Sequence, residues 1–271
     1  MSVLPGSHEP SSQGSLTPPA AATEPAPGPL DAQTTLVDIP ELWAFVHVVV
    51  VALAAGFLAW YIGEQTLGYY EIPALVQSRG DFTALNRETR IVVQKNTAIA
   101  YGTFGALLGL LCGAAGGAFR RSIPDGVNAA LAGLLLGGIG GALVSYALTP
   151  IFNRFYSDEA GSLMISSGVR SCIWAVVGMT AGLALGWGWQ GIRGIPRVLT
   201  GGMAGGVCGT IAFEVVNAVL FPADRNDAVI PSSTQTRLLA YLFVSVGMAL
   251  GAVLLGRHRS APAGRTHQAH S

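Results

Sequence analysis

Apolar residues along this chain gather in long unbroken runs, and polar residues are confined to the stretches between them. Six runs, 42–62, 97–119, 127–148, 171–189, 198–221 and 238–255, span 18 to 24 residues each. A helix rising 1.5 Å per residue needs about 20 such residues to cross a hydrocarbon core about 30 Å thick. Strand-like alternation is missing, which argues against the shorter alternating segments of a membrane barrel. The pattern predicts an all-α membrane protein, a bundle of six transmembrane helices.

The intervals between runs suggest how the helices connect. Arg120–Gly126 and Gln190–Arg197 are too short for domains, so the flanking runs form antiparallel hairpins. The interval Gly63–Asn96 is longer, at 34 residues. Within it Asp81 is placed to cap a helix through Phe82, Leu85 and Val92 that runs into the second span, with Arg87, Arg90 and Lys95 on its wetter side. Residues 1–40 contain eight prolines and no Lys or Arg, a composition that predicts disorder. The positive start of a secretory signal is absent there. Residues 257–271, with His258, His267 and His270, read as a solvated basic tail. The membrane domain is therefore expected over 41–256.

Self-comparison of the runs shows a repeat. Gly105, Gly109 and Gly113 match Gly178, Gly182 and Gly186 at an offset of 73, and Ile123-Pro124 matches Ile195-Pro196 at 72. AGLLLGGIGG from Ala132 aligns with AGGVCGTIAF from Ala204, and VGMALG from Val246 echoes VGMTAG from Val177. Matching spans have the same orientation, so the expected architecture is an internal parallel hairpin repeat. Pairing of the sixth span with the first would close three hairpins into a pseudo-threefold bundle. Residues four apart share a helix face, and glycines there let a second backbone approach closely. Gly133, Gly137 and Gly141, Gly201, Gly205 and Gly209, and Gly247 and Gly251 form further strips. All are expected to be packing seams; a pore-lining glycine face is the alternative.

This pattern of an Arg, GxxxGxxxG, a basic turn and GGxxGG over residues 95–255 resembles Gly-zipper multi-pass segments of bacterial membrane proteins, some of them attached to forkhead-associated domains. The resemblance implies a bacterial membrane location and the bundle fold, and nothing about chemistry. The chain departs from it in having a first span with a long following loop and no forkhead-associated module.

Composition strengthens the membrane reading. Only 11% of residues are charged, 51% are hydrophobic, and 36 of 271 are glycine. Mean hydropathy is +0.49. So few charges cannot cover a soluble surface of this size. With a net charge of zero there is no basic face for a phosphate backbone, and nucleic acid is not expected as a partner. Lys and Arg divide seven to eight between the two sides. The Arg120–Arg121 and Arg257/Arg259 clusters lean toward cytoplasmic termini, in an inner membrane. Cys112, Cys172 and Cys208 lie in apolar runs without metal-ligand spacing and read as small buried hydrophobes.

Chemistry is concentrated in one residue. Glu214 is the single Asp, Glu, Lys or Arg inside the six runs, and an ionisable group in hydrocarbon must be protonated, paired or solvated. Counting equal depth along the other spans brings Tyr101, Thr103, Ser145, Tyr146, Thr180, Tyr241 and Ser245 to its level, with Asn217 on its own face. These groups are expected either to satisfy a neutral Glu214 or to form a polar layer for ion or substrate coupling. His47 lies about 16 Å from it in depth and is expected at the interface; Glu64 is expected among lipid headgroups. No HExxH, GxSxG, P-loop or strand-linked GxGxxG occurs. The sequence thus predicts a structural or accessory membrane subunit without cofactor, metal or enzymatic activity. Its partners would be the bilayer and other copies or membrane proteins. The alternative is a small transporter or channel.

Overall fold

The computed structural model describes residues 41–78, 80–155, 162–222 and 228–257. Both tails, including His258, His267 and His270, lie outside the described residues, as does the expected disorder of 1–40. The described chain is helical: α1 (Glu41–Thr66), α2 (Ala74–Ser78), α3 (Phe82–Arg120), α4 (Ile123–Phe155), α5 (Ser162–Gln190), α6 (Ile195–Leu220) and α7 (Thr234–Arg257), with one 3-10 turn at Ile192–Gly194. Six of these helices are long and apolar enough to cross a membrane. The protein is a multi-pass membrane protein with an all-α fold.

Asp81 caps α3 as its position predicts. Its carboxylate accepts from the backbone N–H of Thr83 at 2.9 Å and of Ala84 at 3.2 Å, satisfying two donors that the first helical turn leaves open. From there α3 runs for 39 residues without a break, about 58 Å. Its other end closes on Arg121, which adopts a left-handed conformation (φ 54°) while Arg121 N–H and Ser122 N–H donate to Ala118 and Gly117. That double closure reverses the chain directly into α4, which itself runs for 33 residues. The α5–α6 hairpin turns in a similarly small space through Gly191 and the 3-10 turn. The molecule therefore has a short-turn end and a broad end. At the broad end α3 and α4 outrun the hydrocarbon thickness, and α1, α5, α6 and α7 meet the longer connections.

Packing follows the glycines. A Cβ on Gly105 would collide with the Gly137 backbone, one on Gly109 with Gly133, one on Gly141 with Tyr101 and one on Gly113 with Ala129, so α3 and α4 touch backbone to backbone along their length. Gly178 meets Gly202, a Cβ on Gly182 would lie 2.5 Å from the Val198 carbonyl oxygen, and Gly186 packs on Ile195 and Val198. Gly201, Gly205 and Gly209 face Gly251, Gly247 and Phe243 of α7. Lipid gives helices no hydrophobic drive to associate, so close approach, with its dispersion and Cα–H···O contacts, supplies the cohesion. The strips aligned in sequence do not have equivalent partners. Gly133, Gly137 and Gly141 bind their own hairpin mate, whereas Gly201, Gly205 and Gly209 bind the next helix and leave Gly202 and Gly206 for the hairpin.

α1 packs on α3 and α7, so the first and last spans are neighbours. The centre is filled mainly by α1, α3, α5 and α7: Val48, Ala52 and Ala55 meet Phe104, Leu108, Trp174, Val177, Leu185, Val244 and Met248. Outward faces carry Leu131, Leu135, Ile139 and Leu143 of α4 and Ile211, Val215 and Val219 of α6, a covering suited to acyl chains. Cys112 is buried, but Cys172 and Cys208 lie on outward faces, which corrects the expectation that all three are interior. Each falls at a helical position turned away from its neighbours.

Candidate functional site

Glu214 is paired, and its partner is Arg170. α5 begins at Ser162, nine residues before the apolar run that marks it in the sequence, so Arg170 is a helical residue packed inside the bundle. Its guanidinium Nη1 donates to Glu214 Oε1 at 2.5 Å, and Nη2 donates to the Ala228 carbonyl. The Arg170 side chain is 1% exposed and that of Glu214 24%. A charge removed from water this far must be matched by charge and hydrogen bonds, and Glu214 with the Ala228 carbonyl provides both. Asn217, one turn along α6, is buried beside this region.

A second clasp lies at the same end. Arg237 Nε and Nη2 donate to the two carboxylate oxygens of Glu64 at 2.5 and 2.9 Å, the forked geometry that makes arginine–carboxylate pairs strong. Its Nη1 reaches the carbonyls of Pro231 at 3.0 Å and Ser232 at 2.7 Å. Thr234 Oγ1 adds a bond to Glu64, and Trp60 Nε1 donates to the Thr234 carbonyl at 3.2 Å. Glu64 is thus held by protein side chains, in the last turns of α1, which continues through it to Thr66.

The hydroxyls expected at the level of Glu214 do not converge on it. Ser145 Oγ donates to Gly141 O at 2.7 Å, Thr180 Oγ1 to Val177 O at 2.8 Å and Ser245 Oγ to Tyr241 O at 2.6 Å, each on its own helix. Thr103 is half-buried on α3, and Tyr146 is half exposed on α4. Tyr101 comes nearest in role: its hydroxyl donates to the Val229 carbonyl at 2.8 Å, next to the carbonyl held by Arg170. Equal depth along separate helices does not decide the direction each side chain faces. His47 bonds the Trp43 carbonyl of its own helix at 2.8 Å and is exposed.

Beneath the clasps the bundle axis is occupied by aromatic rings. Trp174 lies edge-on to Tyr101 at 4.9 Å and to Phe104 at 4.8 Å, and Phe104 lies 4.7 Å from Tyr241. Such tilted contacts are favourable and leave little space. A cleft of about 380 Å³ opens at the broad end among Val93, Asn96, Phe152, Val229, Ile230 and Arg237, and Glu214 is not in its wall. Among the described residues no three His, Cys, Asp or Glu side chains cluster as metal ligands.

Against known proteins, the chain matches no family model, no curated protein and no solved structure.

Arg170 stands one position before the apolar run beginning at Ser171, where the hydrophobic pattern alone places the end of a connection. Hairpin register carries the missing signal. Gly202 faces Gly178; Arg170 is eight residues from Gly178 toward the broad end, and Glu214 is twelve from Gly202 in the same direction. The difference is one helical turn, within reach of two long side chains.

Proposed function

We propose that the chain is a structural or accessory subunit of a bacterial inner membrane, a rigid scaffold rather than a solute pathway or an enzyme. The observation that carries this reading is the Arg170–Glu214 pair. The one carboxylate positioned to couple ion movement is already bound by a buried guanidinium, and the axis below it is filled by Tyr101, Phe104, Trp174 and Tyr241. A coupling carboxylate needs a water or ion path and freedom to change its protonation state, and the dispersal of Ser145, Thr180 and Ser245 to their own helices argues against a polar layer around Glu214.

The repeated strips fit duplication of a glycine-zipper hairpin, with the second copy re-registered so that α6 serves both α5 and α7. Because these strips face helices of the same chain, contacts with other subunits would use the aliphatic faces of α4 and α6. Arg120, Arg121, Arg193 and Arg197 at the short-turn end favour that end as cytoplasmic, with both termini on the same side.

Flux assays on the wild-type chain in sealed vesicles test the reading, with Glu214→Gln alongside. We expect no ion or solute flux above protein-free vesicles for either, together with a lower melting temperature for the variant. Wild-type flux abolished by Glu214→Gln would replace the scaffold with a transporter.

A further inference from the structure

The connection between α6 and α7 is bound in an unusual way. Residues Ala228 to Ser233 form neither helix nor strand before α7 begins at Thr234, yet four of their carbonyls, and that of Thr234, accept side-chain donors. Ala228 takes Arg170, Val229 takes Tyr101, Pro231 and Ser232 take Arg237, and Thr234 takes Trp60. The donors come from α1, α3, α5 and α7. Each arginine is held in turn by a carboxylate, Arg170 by Glu214 and Arg237 by Glu64. Val229 is 3% exposed and Pro231 is buried, so the segment seals the broad end above the aromatic rings. It also forms one wall of the 380 Å³ cleft.

We infer that Ala228–Thr234 is a strap that opens as a unit, and that the two arginine–carboxylate pairs are its latches. The bundle beneath is held by separate contacts, the backbone seams of α3 with α4, α5 with α6 and α6 with α7, so the strap can part while the helices stay packed. Proteins open locally in contiguous units, and this segment is fixed by side-chain hydrogen bonds rather than by a helix or sheet. Opening joins the cleft to the region over Tyr101. Glu214 acts on the strap through Arg170, and Glu64 acts on it through Arg237 and through the bond it accepts from Thr234.

Hydrogen exchange on the full chain in lipid nanodiscs reads this directly, comparing wild type with Glu64→Gln, Glu214→Gln and the double variant. Weakening a charge-assisted bond raises the open population by about tenfold or more. Peptides covering 228–236 are therefore expected to exchange about tenfold faster in each single variant and faster still in the double, with α3 and α4 peptides unchanged. Unchanged strap exchange overturns the inference, as does equal acceleration of strap and helices. Should the carboxylate variants fail to fold, Tyr101→Phe and Trp60→Phe each remove one donor to the strap. Faster exchange confined to 228–236 supports a strap that opens as a unit, and its absence there overturns it.

Discussion

At the short-turn end two hairpins reverse within a few residues, glycine backbones touch, and an ion pair there, Arg120 with Asp125 at 3.2 Å, has side chains 40% and 37% exposed. At the broad end the connections are longer, and the pairs Arg170–Glu214 and Arg237–Glu64 are 1% and 24%, and 12% and 20%, exposed. One end is closed by covalent connectivity and small residues. The other must bring together four helices and a non-helical segment, and it does so with buried guanidiniums, whose several rigid donors can bind a carboxylate and backbone carbonyls at once. The same bundle thus uses steric closeness where the chain already holds helices together and directional polar bonds where it does not.

Substitutions can break this contrast in graded steps, read by thermal unfolding in detergent through tryptophan fluorescence. Gly105→Leu should be the most damaging, because its side chain meets the Gly137 backbone, which cannot move aside alone. Overpacking typically costs about 1–3 kcal/mol and more where backbone must shift, so loss of a monodisperse peak in size-exclusion chromatography is expected. Arg170→Met comes next, leaving Glu214 without its cation; breaking a buried pair costs about 3–5 kcal/mol. The double variant Arg170→Met/Glu214→Leu should recover most of that loss. Glu64→Gln keeps shape and some hydrogen bonding, and a loss of about 1–2 kcal/mol is expected. Arg120→Gln at the short-turn end should destabilise least, by about 0.5 kcal/mol or less, and so move the melting temperature least. If Arg120→Gln proved as costly as Arg170→Met, the two ends would not differ in the way described.

The six spans were legible because lipid imposes a crude, strong rule: about 20 apolar residues in a row. The capped start of α3 at Asp81 was legible too, since N-cap chemistry is local. Side-chain direction was harder to read. Gly201, Gly205 and Gly209 repeat the spacing of Gly133, Gly137 and Gly141, but spacing does not say which neighbour a strip faces. Arg170 was hidden for a related reason. A hydrophobic window ends where a cation appears, so the residue that completes the Glu214 site was the one that set the apparent boundary of its own helix.

The separation of the paired charges along the chain has a consequence for biogenesis. Arg170 and Glu214 are 44 residues apart on consecutive helices. During synthesis α5 enters the membrane carrying a bare guanidinium that the following helix soon neutralises, so α5 and α6 are best inserted together. Glu64 and Arg237 are 173 residues apart, on the first helix and the last. The carboxylate of α1 waits for the synthesis of 173 further residues before its cation is made. A chain truncated before α7 therefore leaves Glu64 without the guanidinium that clasps it.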